Sequence, residues 1–381
     1  MNSRTFAPPS PSRARSGVSA ALRPLVILAS AGCLALPLLA AETGGIRSGE
    51  VWNDTDGRPV NAHGGGMLVH EGTYYWYGEI KQGKTYLPKV NASWGGTRVD
   101  VTGVSCYSSK DLLEWKHLGN VLPAVPDPAS DLHPGKVLER PKVIHNAKTG
   151  KFVMWFHRDS LDYAAAACGV AVADRPAGPF EYLGSFRPNP GQWPVNVTED
   201  DKKDPKASLV RDFKAGQMAR DMTVFVDDDG KGYLFTASED NATLHISELS
   251  EDYLKTTGKY VRVFPGRMME APAVFKREGK YYLIASGCTA WEPNAARSAV
   301  ADSIWGPWKE LGNPCRGDKA EMTFQSQGTY VLPVAGKPGR FIFMADRWNK
   351  DNLPDSRYVW LPLAFEGEKP VLRWMDRWDP K

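Results

Sequence analysis

Cysteine is scarce, five in 381 residues, and no C-x-x-C pair occurs. This excludes a disulfide-dense scaffold and, with seven histidines that form no close ligand pair, a structural zinc site. Charge of one sign is also lacking: 47 Lys and Arg stand against 44 Asp and Glu. Arg4, Arg13, Arg15 and Arg23 fall within the first 41 residues, which hold no acid, so beyond them 43 basic residues face 44 acidic ones. A body this balanced gives no electrostatic case for binding nucleic acid or an anionic membrane. Helical periodicity is nearly absent. A long apolar run occurs once, at residues 25–40 (LVILASAGCLALPLLA), and Gly32 and Pro37 leave it too short and interrupted to span a bilayer.

That run follows a basic, Pro/Ser-rich stretch and ends on Ala40–Ala41, so residues 1–41 read as a cleaved secretory signal. Lipidation of Cys33 is the rival reading, weakened because the apolar run continues past it. Residues 42–381 are then expected to form a soluble, monomeric, secreted or periplasmic protein with no membrane span. Export permits disulfides: Cys288 and Cys315 flank a turn-rich segment and could pair, whereas Cys106 and Cys168 lie in apolar runs and read as buried thiols. A hydrophobic content of 42% excludes disorder. The 13 Trp, 14 Tyr and 14 Phe suit a protein that stacks on sugar rings, although rings also fill β cores.

What the chain does contain is short β runs between turns. One pattern recurs: a polar residue, an apolar strand, a Gly-containing turn, an aromatic strand. Its copies begin at His63 (HGGGMLVHEGTYYWYGE), Glu139 (ERPKVIHNAKTGKFVMWFH), Asp221 (DMTVFVDDDGKGYLFTAS), Glu270 (EAPAVFKREGKYYLIASG) and Gln327 (QGTYVLPVAGKPGRFIFMAD). Second hairpins such as VSCYSSKDLLEWKHLG and AVADSIWGPWKELG lie between them. Five two-hairpin units, spaced 76, 82, 49 and 57 residues apart, predict an all-β fold, a five-bladed β-propeller filling residues 42–381. A β-sandwich needs similar strands but leaves the repeated hairpin pairs unexplained. Inserts around 81–103 and 187–220 are expected to cover one end of the central channel.

In a propeller the innermost strand of each blade lines the axis, so the residues heading those strands share one funnel. Here they are His63 or Gly64, Glu139, Asp221, Glu270 and Gln327. A single acid before a strand is usually a turn or capping residue, as Asp227, Asp228 and Asp229 are in their Asp-Gly turn. Carboxylates heading three equivalent strands point instead to a site, because crowded carboxylates raise one another's pKa and make one of them a proton donor.

These segments resemble glycoside hydrolase family 43, five-bladed propellers that hydrolyse glycosidic bonds with inversion. WNDTDGRPVNAHGGGMLVHEGTYYWYGE, ERPKVIHN, KFVMWFH, ADRW and RYVWLPL are similar to its exo-β-1,3-galactanase branch, and the resemblance covers residues 50–378. It implies that Glu270 is the general acid and that Asp221 tunes that acid's pKa and positions substrate. Most members begin blade one with an aspartate that acts as base; Gly64 stands at that position. The galactanase branch shares this absence and assigns the role to a glutamine heading blade five, with the ERP glutamate nearby; Gln327 and Glu139 match them. Inversion needs the acid and the water-orienting group about 6.5–9.5 Å apart. The resemblance further implies that Glu79, Tyr163, Asn241 and Trp291 contact sugar. Arg140 and Arg347 are read as ion-pair residues, and His63 as a strand-end histidine satisfied by backbone.

The expected function is exo-acting removal of galactose from β-1,3-galactan chains. The same scaffold hosts α-L-arabinofuranosidases, β-galactofuranosidases and β-xylosidases, and the missing blade-one aspartate keeps open a sugar-binding propeller without catalysis. The expected partner is a poly- or oligosaccharide. No cofactor or metal is called for; a structural calcium fits such channels, but no oxygen-ligand motif specifies one.

Overall fold

A computed structural model describes residues 44–381, so the expected signal segment 1–41 lies outside the described residues. Four antiparallel meanders follow one another, each a four-stranded sheet with its strands in chain order. Blade 1 comprises His63–His70, Thr73–Glu79, Gly103–Ser109 and Lys116–Pro123. Blade 2 comprises Val137–Asn146, Lys151–Asp159, Ala167–Ala173 and Glu181–Phe186. Blade 3 runs from Met222–Val226 to Thr256–Val263, and blade 4 from Met269–Arg277 to Lys309–Gly312. Blade 5 begins at Gln327–Pro333, continues through Phe341–Arg347, Arg357–Glu366 and Lys369–Arg373, and gains Cys315–Arg316 as a parallel outer strand. The first strands touch in the sequence 1-2-3-4-5 and back to 1. That ring defines the axis and makes the fold a five-bladed propeller.

A blade is apolar on both faces and is stable only when neighbours cover it. Five buried clusters accordingly fill the five blade interfaces. The interface between blades 5 and 1 is the most aromatic: Trp52, Trp76, Trp360 and Tyr358 meet with centroids 4.6–6.1 Å apart. Ile46–Arg47 pairs with Arg377–Trp378 beside it, so both chain ends of the propeller are tied together. Among the described residues, no helix is long and apolar enough to cross a membrane.

Several expectations change here. Cys288 and Cys315 do not pair: both are free, Cys315 packing in the blade 4–5 core and Cys288 facing a carboxylate. Of residues 187–220, only the last, Arg220, reaches the axial cavity. Val195 donates its N–H to the Tyr260 carbonyl and Asn196 brackets Arg262, so the insert caps the open edge of blade 3, where unpaired backbone groups otherwise face water. His63 is held by side chains rather than backbone, with Nδ1 2.8 Å from Asp346 and its ring stacked on Tyr358. Arg347 pairs with no acid among the described residues; it donates to the Phe324 carbonyl and lies over Trp374.

Candidate active site

Local backbone geometry aims the leading residues at the axis. A bulge interrupts the register just after His63, Glu139 and Glu270, and again after Gly328 in blade 5. Gly64, Arg140 and Ala271, each one residue past the leading position, adopt φ of 60°, 57° and 50°. An extra residue in this conformation bends the strand and turns the preceding side chain out of the pleat. The strand heads converge on one cavity of about 550 Å³, lined by Glu139, Asp221, Glu270 and Gln327 together with Tyr163, Asn241 and Trp291; blade 3 pairs in unbroken register and supplies Asp221 from the residue just before its first strand. Glu79 is excluded from that lining. It lies 4% exposed behind Arg140, whose backbone N–H it accepts, and its other oxygen pairs with Lys81 at 2.6 Å.

Arg140 is the hub. Its Nη2 lies 2.9 Å from Asp221 Oδ2 and donates to Gln327 Oε1 at 2.6 Å, so one guanidinium ties blade 2 to blades 3 and 5. Asp221 also accepts the Ala271 N–H, fixing the bulge that carries Glu270. Beneath Arg140, the buried Lys142 ammonium donates to the carbonyls of Gly64 and Arg140; burial, and then the Arg140 charge, bring its pKa down to about 7.

Three settings distinguish the polar groups. Glu270 has its pKa pushed up to about 7, first by burial and then by the negative charge of Asp221, against a thiol hydrogen bond from Cys288 and the charges of Arg140 and Arg220. Asn241 donates to the same Glu270 oxygen at 3.0 Å, while its own Oδ1 is buried with no partner among the described residues. Glu139 is held down at about 2: burial opposes its charge, but His157 at 3.3 Å, Lys81 and the Tyr163 hydroxyl outweigh it. His157 is in turn raised to about 9 because Asp159 and Glu139 flank its ring, overcoming burial. Gln327 is a committed amide. Arg140 and the Trp348 indole can only donate, so the atom facing both is the carbonyl oxygen, and Nε2 donates to Ser286.

The structure requires a glycine at position 64. A Cβ there would lie 2.2 Å from Glu79 Oε1, so the glycine makes room for the buried carboxylate that supports Arg140. Glu139, His157 and Asp221 bring ligand atoms within 4.8 Å of one another, the spacing of a metal site. Cations already occupy those directions: Arg140 on Asp221, and an imidazolium between Asp159 and Glu139.

Sequence reading missed His157, Asp159, Arg220, Cys288 and Trp94 as site residues. His157 and Asp159 carried a usable signal, since residues two apart on a strand share a face. Arg220, beside Asp221, donates to the Tyr163 carbonyl. Cys288 and Trp94 reach the cavity from loops, where no periodicity marks them.

Residues 67–331 match the family described as Glycosyl hydrolases family 43. A solved family-43 β-1,3-galactosidase in complex with galactodeoxynojirimycin is 48% identical, with a TM-score of 0.81 over 88% of this chain and 100% of that one. An exo-β-1,3-galactanase from Phanerochaete chrysosporium, solved with β-1,3-galactotriose, is 34% identical, with a TM-score of 0.73 over 89% of this chain and 68% of that one. A β-D-galactofuranosidase from Aspergillus niger is 33% identical over 163 residues, 42% of this chain and 46% of its own length. The chain therefore matches about half of that curated relative. A family match across most of the propeller, over a funnel of converging carboxylates, makes the chain a member of glycoside hydrolase family 43.

Proposed function

We propose that the chain is an exported, exo-acting β-1,3-galactosidase that removes galactose from galactan chains with inversion. The observation that carries the mechanism is Glu270: a carboxyl with its pKa near 7, facing a cavity, is protonated often enough at neutral pH to donate to a leaving oxygen. Asp221 supports it from below, raising its pKa by charge and fixing the Ala271 bulge. The unpaired Asn241 Oδ1 is an acceptor suited to a sugar hydroxyl. On the water side, Gln327 has its oxygen taken by two donors, which leaves it an orienting role through Nε2. Glu139, held ionised at about 2, is a weak base: its carboxylate orients the attacking water and takes its proton only late, as the glycosidic bond breaks. The galactan substrate is supported by the names of the relatives, and export by the basic and apolar residues before position 42.

A second reading, a β-galactofuranosidase, is favoured by the Aspergillus niger relative. Incubation with linear β-1,3-galactan, nitrophenyl furanosides and a Glu270→Gln variant separates the two. Galactose released from galactan by wild type, with turnover falling at least a hundredfold in Glu270→Gln, is the expected result. Release from furanosides alone would move the substrate while retaining the acid. Full activity in the variant would remove Glu270 from its role.

A further inference from the structure

Residues 81–103 form a strap at the mouth of the cavity, fastened at several points. Lys81 pairs with Glu79 and sits over the Trp291 and Trp348 rings at 5.4 and 5.6 Å. Thr85 accepts the Leu353 N–H, Asn91 donates to the Leu161 carbonyl, and Thr97 donates to the Lys350 carbonyl. The Trp291 indole donates back to the Thr97 carbonyl at 2.8 Å. Held from blades 2, 4 and 5, the strap is a fixed wall whose side chains keep their positions.

On this wall, Trp94 lines the cavity and yet is 43% exposed. Its ring is pinned on two sides. The six-membered ring lies where a Cβ on Gly96 would come within 2.0 Å, and it meets Tyr163 edge-on with centroids 5.3 Å apart at 88°. An indole fixed this firmly, with its free surface turned to a cavity mouth, is an apolar platform without an occupant among the described residues. The C–H face of a pyranose complements it, through apolar contact and ring electrostatics. The polar strand heads close the inner end of the cavity, so a chain entering it puts its terminal sugar against them and its next unit at the mouth.

We propose that Trp94 is the stacking platform for the sugar unit on the leaving side of the scissile bond, and so sets a preference for a galactan chain over a bare terminal galactoside. The inference rests on the exo-galactosidase reading. The test compares wild type, Trp94→Ala and Trp94→Phe on β-1,3-galactobiose and on β-galactosyl fluoride, whose small leaving group reaches no platform. In Trp94→Ala, kcat/KM for the disaccharide should fall about five- to tenfold further than for the fluoride, mainly through KM, and Trp94→Phe should recover most of that difference. Equal losses on both substrates, or none on either, overturn the platform; the fluoride rate also reports whether each variant is folded. Wild type inactive on both substrates would instead sink the galactosidase reading, and this inference with it.

Discussion

Glu270 shows how finely single contacts set the chemistry. Burial and the Asp221 charge favour its neutral form, while the Cys288 thiol, 3.1 Å from Oε1, favours the carboxylate. The thiol itself is pushed up to about 12, first by burial and then by the Glu270 charge, so it stays protonated and can donate. An acid that must give up its proton is active below its pKa, so kcat/KM should fall as pH rises through about 7. Cys288→Ala withdraws a donor that stabilises the charged form. The Glu270 pKa should then rise, moving the descending limb about half a unit to one unit towards alkaline pH, whereas Cys288→Ser should leave it close to wild type. A pH–rate profile of the three proteins checks this, and an unmoved limb in the alanine variant would deny the thiol its part.

Among the elements, the bulges decide more than the strands they interrupt. Alternation of apolar and polar residues announces a strand, but a bulge is a tertiary compromise between two strands. Only Gly64 hints at one in the sequence. At that position the conformation, φ 60°, disfavours any side chain, and a methyl group would meet the Glu79 carboxylate at 2.2 Å. Gly64→Ala should cost about 1–3 kcal/mol and displace Glu79 from the Arg140 N–H. Chemical denaturation should report the stability loss, and activity should fall with it. A midpoint and rate equal to wild type would mean the bulge yields without consequence. The same reasoning explains why restoring an aspartate at 64 should not install a base: its carboxylate has no room beside Glu79.

Across the whole molecule, stability rests on five interfaces, and the one joining the last blade to the first must close the ring. Trp360 is fully buried there, edge-on to Trp52 and Trp115 and tilted against Trp76. Trp360→Ala should therefore cost about 3–5 kcal/mol, seen as a lower thermal midpoint; a loss below about 1 kcal/mol would place the closure elsewhere. The blade count and the strand heads Glu139, Asp221, Glu270 and Gln327 were legible in the sequence, because turns, alternation and the leading residue are local in the chain. The hub of the site was not. Arg140 reaches Glu79 across 61 residues and Gln327 across 187, and read alone it resembles any arginine beside an acid. Nor does chain spacing show that Cys288 turns to Glu270 instead of Cys315, or that Trp94 lies at the cavity mouth. By itself the sequence determined which groups head the blades; only the closed ring decided their charge states and partners, because those depend on burial and on neighbours from other blades.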